Sequence, residues 1–200
     1  MPFPSRRPFA ALCLLLLSGC TVVRETTPSR TATEQLLVSH AVEIAADRLA
    51  AVLPTGQRAF VDTTYVRGDS ADYAVSAIRA ACLRHGLLLA PDKASSDLVV
   101  EVRMGAASFD AVDTVLGLPA MSVYVPGAFT TVPIPELSFF SRHQRRGAAE
   151  LSAFAYDAKS GRALAFVGPA SGQRDLDQVK VLSIFGAGGL QEEPGGKPKP

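Results

Sequence analysis

The sequence predicts an α+β domain in which two helices pack on one face of a mixed, mainly antiparallel sheet of about five strands. Three observations predict it: an apolar stripe of helical period near the start, a second helix with a small-residue face, and an alternating hairpin in the last third. The first helix opens at Thr31 or Thr33, because Thr31-Ala32-Thr33-Glu34 has capping-box spacing. Val38, Val42, Ala45, Leu49 and Val52 then recur at alternating intervals of four and three, and Leu37, Ala41 and Ile44 widen the stripe. Pro54-Thr55-Gly56 ends it. Residues 58–62 read as a short strand, and a second helix follows the acidic start at Asp69 and Asp72. Ala74, Ala77, Ile78 and Ala81 form its packing face, and Arg84-His85-Gly86 supplies positive charge and a terminating glycine.

Residues 87–90 and 97–104 read as strands separated by a turn, and residues 148–156 and 162–167 as the hairpin around Asp157-Ala158-Lys159-Ser160-Gly161. Residues 116–146 read as a long irregular connection broken by Gly117, Pro119, Pro126, Gly127, Pro133 and Pro135. Residues 176–187 are compatible with a last strand or a short helix. The expected organisation is a signal at 1–19, a tether at 20–31, one domain at 32–190 and a disordered Pro/Gly-rich tail at 191–200.

With 200 residues, 48% hydrophobic and 20% charged, the composition is that of a globular chain. A formal net charge of +1 offers no basic excess to track a phosphate backbone, so no nucleic-acid partner is expected. Arg6 and Arg7, the apolar run at residues 9–17 and the small pair Ser18-Gly19 before Cys20 make a signal peptide. The run is too short to span a bilayer as a helix. Leu17-Ser18-Gly19-Cys20 resembles the bacterial lipobox, which implies a cysteine carrying diacylglycerol and an acyl chain as the mature N-terminus. Thr21 stands where an Asp would retain such a protein in the inner membrane, so the resemblance implies an outer-membrane anchor facing the periplasm. Ser5-Arg6-Arg7-Pro8-Phe9 also resembles a twin-arginine export signal, although the run at 12–17 suits ordinary Sec export. Removing residues 1–19 takes Cys13 and both early arginines away, leaving a mature charge of about −1. Cys82 is then the sole thiol besides Cys20, and no intramolecular disulfide is expected.

Residues 74–89, 96–103 and 151–164 resemble periplasmic lipoproteins with an anticodon-binding-like core, such as penicillin-binding-protein activators and curli-secretion lipoproteins. The likeness rests on the strand Ser96-Asp97-Leu98-Val99-Val100 and on the Asp-x-Lys-x-Gly turn at Asp157. The whole chain is similar to a family of uncharacterised bacterial lipoproteins through Thr31-Ala32-Thr33-Glu34-Gln35-Leu36-Leu37 and residues 156–161. These resemblances imply a fold and no chemistry.

Motifs that carry chemistry are few. His40, Glu43 and Asp47 share a helical face that could hold a metal or simply be solvated; no His-Glu-x-x-His spacing accompanies it. Neither Gly-x-Ser-x-Gly nor Ser-x-x-Lys occurs, and Gly186-Ala187-Gly188-Gly189 precedes no helix pattern that would cradle a phosphate. Cys82 reads as a buried packing residue rather than a nucleophile. No catalytic residue, metal or dissociable cofactor is therefore expected. The expected function is a membrane-anchored envelope lipoprotein whose domain is a non-enzymatic binding or assembly module for an envelope protein or glycan. The alternatives are a secretion-channel or lipopolysaccharide-assembly subunit, or a periplasmic hydrolase with an unrecognised site. Arginine beside aromatics is the composition of interface hot spots, which nominates Phe139, Phe140, Arg142, Arg145 and Arg146 as partner-binding residues; the alternative is that the aromatics pack over the sheet and the arginines form a solvated turn.

Overall fold

The structure is a computed structural model that describes residues 30–191 apart from 128, 183 and 184. The signal, the tether up to residue 29, Cys20 and the tail from 192 lie outside the described residues.

Helix α1 (Ala32–Ala50) begins as its capping box requires. The Thr31 hydroxyl accepts from the Glu34 amide at 3.3 Å, and the Glu34 carboxylate accepts from the Thr31 amide at 2.9 Å, so two amides without helical partners are satisfied reciprocally. Strand β1 (Arg58–Tyr65), helix α2 (Ala71–Arg84) and the two-residue β2 (Leu88–Leu89) follow. Then come β3 (Leu98–Leu118), β4 (Met121–Val125), β5 (Thr130–Ile134), β6 (Leu137–Asp157), β7 (Ala163–Val181) and β8 (Phe185–Gln191). Six strands form one sheet in the order β2-β1-β3-β6-β7-β8, and β4 and β5 pair separately. β1 runs parallel to β2 and β3, with α2 as the crossover that such pairing needs, while β3, β6, β7 and β8 are mutually antiparallel.

The core lies between the helices and one face of the sheet. Val38, Val42 and Leu49 from α1 and Ile78 and Cys82 from α2 meet Val100, Val102, Leu151 and Ala153. α1 rests directly on sheet backbone at two glycines. A Cβ on Gly147 would stand 2.7 Å from the Val38 nitrogen, and one on Gly172 would stand 2.7 Å from the Ala45 nitrogen. The Arg48 guanidinium adds a 2.6 Å hydrogen bond to the Ser171 carbonyl at the same seam.

Two expectations are corrected. The sheet has six strands, with a further two-stranded ribbon, instead of about five. Residues 116–146 are not an irregular loop: they continue β3, turn through β4 and β5, and return along β6. The prolines concealed the strands because they occupy the places a ribbon tolerates. Pro119 and Pro135 fall at the two breaks between the long strands and the end ribbon, Pro126 falls in its turn, and Pro133 lies in β5, which has only one partner. Of residues 176–187, those up to Val181 end β7 and those from Phe185 begin β8, so the described part is strand rather than helix.

The seam predicts its own sensitivity. Gly172→Val places a branched side chain against α1 backbone and should cost about 3 kcal/mol, roughly 6–12 °C in Tm. Gly168→Ala, where a Cβ meets nothing within 4 Å, should leave Tm nearly unchanged in the same thermal scan.

Candidate interaction surface

β1 pairs with β3 only as far as Arg103, and the helices stop covering the sheet near Gly147. Beyond that level β3, β6, β7 and β8 continue as a four-stranded blade. At 3.3–3.4 Å per residue, residues 105–118 alone run for ~45 Å.

Register places every nominated residue on this blade. Arg142 and Arg146 belong to rows on the face away from the helices, and Arg145 to the helix-side face, because side chains alternate along β6. The structure therefore does not gather the three arginines into one cluster. Each instead meets an aspartate of a neighbouring strand. Arg142 makes a two-pronged contact with Asp177, donating from Nε at 3.1 Å to both oxygens and from Nη2 to Oδ2. Arg146 Nε donates to Asp175 at 2.7 Å, and Arg145 Nη1 donates to Asp113. These pairs lie in shallow water-facing positions, where solvent screens an ion pair and leaves it little net stabilisation, and their effect is to fix strand register across the blade.

His143 lies between two carboxylates. Its Nδ1 is 2.9 Å from Asp113 and its Nε2 is 3.3 Å from Glu136, whose other oxygen accepts the Ser138 hydroxyl at 2.7 Å. Arg145, then His143, hold the Asp113 carboxyl below its ordinary value; the Ser141 and Ser138 hydroxyls do the same for Glu136, and Arg142 for Asp177.

The far end of the blade is apolar. Phe139 is 70% and Phe140 38% exposed, together with Leu116, Leu118, Leu137 and Phe185, and beyond them Tyr124 and Phe129 stand out on the β4–β5 ribbon. Phe129 (φ 47°) and Leu182 (φ 54°), at the turns of the two hairpins, adopt the left-handed conformation that bulky side chains avoid. The sequence showed the aromatics but not these two turns, since neither holds a glycine at the strained position.

The other candidates resolve structurally. His40 Nδ1 is 3.7 Å from Glu43, but Asp47 turns to α2, 2.9 Å from His85 Nε2 and 3.6 Å from Arg84, so the three side chains do not converge. Among the described residues no group of three or more His, Cys, Asp or Glu side chains is arranged to hold a metal ion. Cys82 is fully buried, and burial pushes its thiol up to about 11, which removes the thiolate a nucleophile needs at neutral pH. No helix among the described residues is long and apolar enough to cross a membrane.

Residues 15–193 match a family of unknown function, DUF6655. The chain belongs to that family. The match spans both helices, the sheet and the whole blade, so the DUF6655 domain is the unit described above. No curated protein matches the sequence.

Acid should loosen the blade before the core. Asp113, Glu136 and Asp177 have folded-state values below their unfolded ones, so their contribution is fully present above the ordinary carboxylate range and is lost as pH falls through the lowered values. Hydrogen exchange at residues 110–146 should be unchanged from pH 7 to about 5 and then accelerate as pH falls further, relative to residues 37–49, once corrected for intrinsic rates. Asp113→Asn should weaken that dependence.

Proposed function

We propose that this protein is a lipid-anchored envelope lipoprotein whose periplasmic domain is a non-enzymatic assembly module, with the blade as its working part. The observation that carries the reading is the exposed apolar end of the blade, with Phe129 at 85% and Phe139 at 70%, set beyond rows of internally paired charges. A monomer gains nothing by holding large apolar side chains in water at two strained turns, and such surfaces are the usual mark of a contact site. Cys20, the last residue of the lipobox-like quartet, supplies the anchor to the outer membrane through its diacylglycerol and acyl chain. Phe139 and Phe140 then act as contact residues, and Arg142, Arg145 and Arg146 hold the strands that present them. An envelope protein or glycan is the partner class. Membrane-spanning barrel strands fit less well, because charged residues occupy both faces of the blade: Arg142, Arg146, Asp175 and Asp177 on one, Asp113 and Arg145 on the other.

Cys20→Ala should abolish fatty-acid labelling and leave uncleaved precursor; a processed, labelled variant would refute the anchor. Phe129→Ser with Phe139→Ser should change Tm by less than about 3 °C, since both side chains are exposed, and abolish cross-links from a photoreactive group at Tyr124 to envelope components.

A further inference from the structure

Among the described residues the blade has two free edges. Past Arg103 the outer side of β3 has no strand partner among the described residues, and neither has the outer side of β8. Natural sheets blunt such edges with charged side chains, lysine above all, and with proline, a bulge or shortness. The opposite end of the sheet follows that rule, since β2 is two residues long. The blade follows it less: residues 110–116 (DAVDTVL) and 185–191 (FGAGGLQ) contain no lysine or proline, the bulges of β3 lie outside that stretch, and its two charges face arginines of β6, Asp110 opposite Arg146 and Asp113 bonded to Arg145.

The two edges also match each other. Following the register across the sheet, Asp110, Arg146, Asp175 and Gln191 form one row, Thr114, Arg142, Val179 and Ala187 another, and Leu116, Phe140, Val181 and Phe185 a third. Residues 110–116 of β3 and 185–191 of β8 therefore occupy the same seven rows, at the same height, with opposite chain direction. A copy set beside this one continues the up-down alternation without a break. Side-chain size fits as well: Gly189 and Gly186 share the rows of Val112 and Val115 and leave room for those side chains of a neighbouring β3, and Leu116 meets Phe185. Charge does not oppose the joint, because β8 carries none and Asp113 is already paired with Arg145 and His143.

We infer that a second copy of this chain occupies each edge, β3 of one copy pairing antiparallel with β8 of the next. The joint rests on the assembly-module reading and adds to it a self-contact distinct from the apolar end. It is heterologous, so it repeats from copy to copy and yields a ring or a chain instead of a closed pair. It also aligns all blades in one direction, bringing the apolar ends of successive copies side by side.

Disulfide trapping in the full-length chain in native membranes tests this. Ala187→Cys is combined in turn with Val112→Cys, Thr114→Cys and Leu116→Cys, which share the blade face of residue 187 and cover shifts of one row pair either way. Mild oxidation should give a ladder of dimers, trimers and higher species for at least one pair and for neither of its single variants. Charge reversal gives a second readout by light scattering. Thr114→Asp with Ala187→Asp should reduce the native species to monomer with Tm retained, and Thr114→Asp with Ala187→Lys should restore it. Dimers from Ala187→Cys alone would show a two-fold β8 joint and overturn the proposal. So would a monomeric native protein that gives no ladder with any pair. In either case a retained Cys20 lipid label and retained Tyr124 cross-links would leave the anchored-module reading standing.

Discussion

The fold depends on the contact between the backbone of α1 and the backbone of β6 and β7. Gly147 and Gly172 remove the two side chains that would hold them apart, and Ala41 and Ala45 on the helix keep the approach close. Burial of Leu37, Val38, Val42 and Leu49 supplies the driving force, and the glycines set where along the sheet the helix comes to rest. Because α2 packs on α1, that position also fixes α2, and with it the crossover joining β1 to β2.

The same contact decides where the sheet stops being a core and becomes a blade. One strand serves two environments on a single face: Leu151, Ala153 and Ala155 of β6 are buried under the helices, whereas His143 and Arg145, farther along the same face, are partly open to water. Hydrophobic burial holds the first part, and strand pairing with cross-strand ion pairs holds the second. Because exposed ion pairs contribute little individually, the blade is the less stable half, and its order depends on being continuous with strands anchored under the helices.

Legibility in the sequence followed the same division. Both helices, the Asp157 turn and the base of each long strand were readable because their residues face a core and carry its periodicity: the capping box at Thr31, the stripe from Val38, the alternation of residues 149–155. The blade was not, because neither of its faces is apolar. In β6 the run Ser141-Arg142-His143-Gln144-Arg145-Arg146 offers no alternation of polarity to count, and its register is set by aspartates about thirty residues away in sequence. The aromatic and arginine composition drew attention to the right segment, but only strand pairing shows that the arginines face opposite ways. The two open edges could not be read at all, since an edge is a property of strand order.

The break at Pro119 and Pro135 gives the β4–β5 ribbon mechanics of its own. Main-chain pairing ends at Leu118 and Leu137 and resumes at Met121 and Ile134, so no ladder hydrogen bond crosses the gap. Bending stiffness drops there, and the five-residue strands beyond form a paddle ~17 Å long on a two-stranded hinge. A paddle of that kind can tilt to follow a surface while the blade behind it stays in register. Orientation and adaptability are thereby assigned to separate parts of one hairpin.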